Sequence, residues 1–151
     1  MRNGKLTLKY EVYISAPPKK VWQALTDGLA TKQYFYGCSV ESTFKKGARI
    51  SYLGDGEFNM VDGEVLDVKP EKHLVTTFQA HWDEKVSKDK PSRVSWQLIP
   101  MRKSSKITLV HDRFDSETAT YKQSADGWNV ILSSLKTFLE TGKPLELDQS
   151  T

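Results

Sequence analysis

The chain has 151 residues, 38% apolar and 27% charged, with 22 Lys and Arg against 19 Asp and Glu for a net charge of +3. That is the balance of an ordinary globular domain with room for a core, and it excludes a disordered chain. The small, spread-out positive excess is no nucleic-acid footprint, the single Cys38 rules out an internal disulfide, and no apolar run reaches the length of a membrane span. Neither nucleic acid nor membrane insertion is therefore expected, and a cytoplasmic location is the default, since alternation starts at Leu6 without a signal-peptide core.

Leu6, Leu8, Tyr10, Val12 and Ile14 alternate with polar residues, which predicts a strand with one buried face. Ala16-Pro17-Pro18 ends it. Proline at a first helical turn loses no hydrogen bond, so a helix is predicted over 18–27, burying Val21, Ala24 and Leu25. Gly28 closes it, and a second short helix over 29–34 leads into Tyr34-Phe35-Tyr36. From Gly37 to His111 the pattern is β, with strands predicted over 38–43, 49–53, 58–68, 74–82, 93–100 and 106–113. Turn-like breaks separate them, including Gly54-Asp55-Gly56 and a polar loop at 84–92. Gly63 within a strand predicts a bulge or a sharp bend.

The last element is the longest. Tyr121, Ala125, Trp128, Ile131, Leu132, Leu135, Phe138 and Leu139 recur at steps of three and four, which predicts a helix over 116–141. Its apolar stripe is roughly 27 Å long at about 1.5 Å per residue. Asp115 or Ser116 would cap it, and Gly142 followed by Pro144 would end it. The sum is an α+β domain over 1–151 with a flexible tail over 143–151. About seven antiparallel strands form a curved sheet, with two short helices after the first strand and the long helix across the concave face. Side chains fill the space between helix and sheet, or leave a pocket there.

Ile14-Ser15-Ala16-Pro17 followed by Val21-Trp22-Gln23-Ala24-Leu25-Thr26-Asp27 resembles the opening of the SRPBCC (START-like, Bet v 1-like) superfamily, in particular the branch named for the C-terminal domain of the activator of Hsp90 ATPase. The pattern continues through Gly63-Glu64-Val65, Thr108-Leu109-Val110-His111, Gly127-Trp128 and Leu139-Glu140-Thr141-Gly142, covering about residues 8–145. The resemblance implies a helix-grip fold with a cavity between the long helix and the sheet. Members bind lipids, sterols, polyketides or other apolar molecules, a few catalyse cyclisation or dehydration, and the namesake stimulates the Hsp90 ATPase. An apolar or amphipathic small molecule is thus the expected partner. A cyclase- or hydrolase-type enzyme and a chaperone-linked interaction module are the alternatives, and the chain is expected as a monomer or homodimer.

Strand alternation gives the inward candidates. Tyr34, Phe35, Met60, Phe78, Trp96, His111, Tyr121, Ala125 and Trp128 are expected to line the cavity. His111 continues an apolar strand face and could act as acid or base near neutral pH. The plainer reading is a satisfied histidine at a strand end. Glu57 could be a second acid–base group if an apolar cavity enclosed it; otherwise it sits on a solvated hairpin edge. Three histidines on separate elements and one cysteine give no metal-ligand spacing, and Gly54-Asp55-Gly56 lacks the helix and lysine of a phosphate loop. No metal and no cofactor are expected.

Overall fold

The computed structural model describes residues 6–146. The strands are β1 (Leu6–Ile14), β2 (Ser39–Ser42), β3 (Arg49–Leu53), β4 (Asn59–Lys69), β5 (His73–Ala80), β6 (Ser92–Met101) and β7 (Ser104–Phe114). The helices are α1 (Pro18–Thr26), α2 (Gly28–Tyr34), α3 (Glu84–Ser87) and α4 (Ala119–Thr141). The strands form one antiparallel sheet in the order β1-β7-β6-β5-β4-β3-β2. Short hairpins place β2 to β7 side by side, while α1 and α2 carry the chain between the two edge strands β1 and β2. The predicted α+β helix-grip architecture is the observed one.

The inward faces follow the alternation. Leu74, Thr76, Phe78 and Ala80 of β5 are buried, as are Val94, Trp96 and Leu98 of β6 and Ile107, Leu109 and His111 of β7. Helix α4 lays Trp128, Ile131, Leu132 and Leu135 on that face. Two hydroxyls tie the short helices down. Tyr34 donates to the Ala24 carbonyl at 2.8 Å, and the buried Thr31 Oγ1 accepts from the Val40 amide at 2.9 Å.

The curvature has local causes. In β4 the pairing slips by one residue at Met60 against β3 and again at Leu66 against β5. Each extra residue bends its strand and increases the local twist. Gly63 was expected at a bulge or a sharp bend; the slips lie to either side of it, and at Gly63 itself the backbone makes a close approach. A Cβ there would stand 2.1 Å from the Thr77 carbonyl oxygen of β5.

Some boundaries differ from those the sequence predicts. Helix α4 begins at Ala119, with Thr118 Oγ1 accepting from the Tyr121 amide at 3.1 Å, rather than at 116 under an Asp115 or Ser116 cap. Strand β7 runs on to Phe114, so 115–118 are needed to turn the chain. The polar loop at 84–92 holds a single helical turn, because Asp83 caps the Val86 amide at 2.9 Å and Val86 is buried. Glu57 lies exposed on the β3–β4 connection, in keeping with a solvated hairpin edge, where it closes a 3-10 turn over Asp55–Glu57 with φ at 61°. The tail expected over 143–151 lies from residue 147 onward outside the described residues. No described helix is long and apolar enough to cross a membrane.

Candidate functional site

Trp128 joins helix to sheet. Its ring lies 5.8 Å from Trp96, 5.9 Å from Phe35, 5.9 Å from His111 and 6.1 Å from Phe78, mostly edge to face. Such pairs add about 0.5–1.5 kcal/mol each beyond the area they bury. Its indole N–H, which can only donate, points at His111 Nδ1 at 3.0 Å. Nδ1 must therefore be the bare nitrogen. The proton sits on Nε2, which faces Ser92 Oγ at 2.7 Å, and the Ser92 hydroxyl donates onward to the Phe78 carbonyl at 3.3 Å.

That chain corrects the reading of His111 as an acid or base open to the cavity. The ring is fully buried, both nitrogens are used, and burial pushes its pKa down to about 3, with Asp112 opposing weakly. It stays neutral at physiological pH and has no free lone pair for a substrate. Glu57 is corrected too: it is exposed in its 3-10 turn and does not line the cavity. Among the described residues no group of three potential metal ligands converges.

The cavity itself lies between α4 and the β4–β5 part of the sheet, with a volume of about 530 Å³. Phe35, Met60, Phe78 and Trp128 of the expected residues stand on its wall, with Cys38, Val61 and Ile131. The other expected residues do not. Trp96 and His111 lie behind Trp128, and Tyr34 is spent on the α1 carbonyl. Tyr121 packs edge-on against Phe114 at 5.1 Å, and Ala125 is half-buried against the core with its carbonyl accepting from Tyr10 Oη at 2.7 Å. The buried face of α4 is thus turned toward Thr120 and Ser124 instead of Tyr121 and Ala125. Cys38 is buried, and that burial, with Asp55 adding, lifts its thiol to about 11, so it is no thiolate nucleophile.

The opening is framed by Tyr36, Trp82 and Gln123. Trp82 donates its indole N–H to Gln123 Oε1 at 2.7 Å, and Gln123 Nε2 donates to Asp83 at 3.2 Å, so β5's end is clasped to α4. Three features of the wall break local rules. Tyr36 holds a left-handed φ of 50° while 59% of it is exposed. A conformation of that kind costs a non-glycine residue on the order of 1 kcal/mol. Gly127 sits inside α4, where glycine is about 1 kcal/mol worse than alanine. Ser124 Oγ is buried with no hydrogen-bond partner among the described residues. An unmet hydroxyl of this kind costs about 1–3 kcal/mol. None of the three was among the expected cavity residues, and the one signal for them in the sequence is a glycine inside a strongly periodic helix.

Comparison with known proteins gives a consistent answer. The family described as "Activator of Hsp90 ATPase homolog 1-like protein" matches over residues 15–140. Among solved structures, protein MLL2253 from Mesorhizobium loti is 27% identical with a TM-score of 0.75, over 89% of this chain and 97% of that one. DynU16, described as a putative protein in the dynemicin biosynthetic locus, is 27% identical with a TM-score of 0.72, over 91% of this chain but 48% of its own. The Aha1 dimer from Colwellia psychrerythraea shares the fold at 23% identity and a TM-score of 0.73, over 91% and 98%. No curated protein matches the sequence at a significant level. From the order of its elements, the cavity under α4 and the match over 15–140, the chain belongs to the activator of Hsp90 ATPase homolog 1-like family.

Proposed function

We propose that this protein binds an apolar or amphipathic small molecule in the cavity between α4 and the sheet, without catalysis. The observation that carries this reading is a cavity of about 530 Å³ walled chiefly by Phe35, Met60, Phe78, Trp128 and Ile131. Pockets for small molecules fall at about 300–1,000 Å³ and are built of such residues. Filling that space with ligand removes apolar surface from water, worth about 25 cal/mol for each Å². The cyclase- or hydrolase-type alternative loses its acid–base candidate with His111 and Glu57. The chaperone-linked alternative rests on the family's name and needs a surface outside the cavity.

Titration with 1-anilinonaphthalene-8-sulfonate, followed by its fluorescence, tests the reading. The native protein is expected to take up about one equivalent, one dye molecule in this cavity. Met60→Trp, which fills the wall with a larger ring, is expected to abolish uptake. Undiminished uptake by Met60→Trp, or none by the native protein, would overturn it.

A further inference from the structure

The cavity's polar groups are unequal. Trp82, Gln123 and Asp83 satisfy one another, and the Trp128 N–H is held by His111. Ser124 is the exception: it is 5% exposed, it lines the cavity, and its hydroxyl has no partner among the described residues. A helical serine normally answers this problem by bonding the carbonyl one turn back. Ser124 does not.

One turn on, Gly127 lines the same cavity. A methyl group there would meet nothing nearer than the tip of the Tyr36 ring, at 3.9 Å, which is ordinary contact. Packing therefore does not demand glycine at this position. What the missing methyl preserves is the gap between α4 and Tyr36, whose ring is exposed on a left-handed backbone at the opening. Departures from local preference that cost stability and converge on one place mark function more often than chance. Here an unpaired hydroxyl, a mid-helix glycine and a strained aromatic line one cavity, together with the rings of Phe78 and Trp128.

We propose that Ser124 is the polar anchor of the ligand and that Gly127 and Tyr36 form the slot in which its outer edge sits, so that the ligand is a flat aromatic molecule bearing a hydroxyl or carbonyl group. This rests on the cavity-binding reading above. The aromatic walls accept a ring edge to face. Ser124 Oγ has no open surface as it stands, so a turn about its one side-chain bond is what brings the unpaired hydroxyl to the ligand, where it can give to a carbonyl or receive from a phenol. An aliphatic chain would use the walls but leave Ser124 unmet. A site built to bond a polar group rejects the analogue that lacks it, because the buried partner is then left bare.

The test is calorimetric titration with two probes of the same shape, 2-naphthol and naphthalene, against the native protein, Ser124→Ala and Gly127→Ala. The native protein should prefer 2-naphthol about tenfold, the equivalent of one net hydrogen bond. Ser124→Ala should lose that preference and bind naphthalene unchanged. Gly127→Ala should melt higher than the native protein yet bind both probes more weakly. Equal affinity of the native protein for the two probes, or a preference that survives in Ser124→Ala, would overturn the anchor. Unchanged binding by Gly127→Ala would overturn the slot. Failure of the native protein to bind either probe would overturn the cavity-binding reading itself, and the inference with it.

Discussion

Trp128 on α4 and His111 on β7 are joined by an N–H···N bond of 3.0 Å that crosses from helix to sheet inside the core. The bond fixes the tautomer of one ring and satisfies the only donor of the other. Trp128→Ala removes the hub of the aromatic cluster and leaves His111 Nδ1 bare. A loss of about 3–5 kcal/mol is expected, as for other large-to-small core changes. Trp128→Phe keeps most of the ring but not the donor, and should cost about 1–3 kcal/mol. Urea unfolding with a common slope checks both.

His111 also sets an acid limit. Its folded pKa, held to about 3 by burial, lies below the value of 6.5 for a free histidine. Between those values the unfolded chain binds a proton that the folded chain does not, so stability falls as pH drops from about 6.5 toward 3, at up to about 1.4 kcal/mol for each pH unit. Carboxylates held low, such as Asp83 by the Val86 amide and Glu140 by Lys136, add their own losses only below the usual carboxylate range. His111→Gln is expected to be less stable at pH 7 but to show a flat profile from pH 7 to 5. A profile as steep as the native one would contradict the buried neutral imidazole. Denaturant midpoints against pH decide it.

The element order was legible because each element declares its period. β5 alternates throughout, β6 over most of its length and β7 from Ser105 to His111 but for the buried Thr108, and the helix stripe runs from Trp128 to Leu139. A third of the cavity lining was legible: Phe78 and Trp128 from those patterns, and Phe35 and Met60 as apolar residues expected beside the mouth. The rest depends on departures from pattern. Tyr36 reaches the opening on a left-handed backbone. The start of α4 is turned by about one residue's worth of rotation, bringing Ser124 rather than Ala125 inward. His111 did lie on the inward face, but alternation shows only the face. It says nothing of Trp128 and Ser92 occupying both ring nitrogens.

Gly63 makes a sharper backbone prediction. A Cβ at this position would overlap the Thr77 carbonyl oxygen at 2.1 Å and lie 2.7 Å from its Oγ1. The obstacle is the neighbouring strand's backbone, which cannot withdraw without opening the β4–β5 ladder. Gly63→Ala should therefore destabilise by more than about 3 kcal/mol, at the upper end of overpacking costs. Thermal unfolding followed by far-ultraviolet circular dichroism measures it, and a melting point near that of the native protein would contradict the close approach.

Asp89 holds the start of α4 from outside the helix. Its carboxylate accepts from the Thr120 amide at 2.9 Å and from Thr120 Oγ1 at 2.7 Å. It meets an otherwise orphaned amide and faces the positive end of the helix dipole. Asp89→Ala is expected to cost about 1–2 kcal/mol, and Asp89→Asn less. Amide hydrogen exchange should show the loss concentrated at 119–123, with the sheet protected as before.

The most direct test of the account is native mass spectrometry of the protein as purified from cells, followed by denaturation to release and identify what it carries. The account predicts one co-purifying apolar or amphipathic molecule for each chain, present in the native protein and absent from Met60→Trp. An empty native protein that also takes up nothing from a small-molecule and lipid extract of the same cells would contradict it, and would turn attention to the surface outside the cavity.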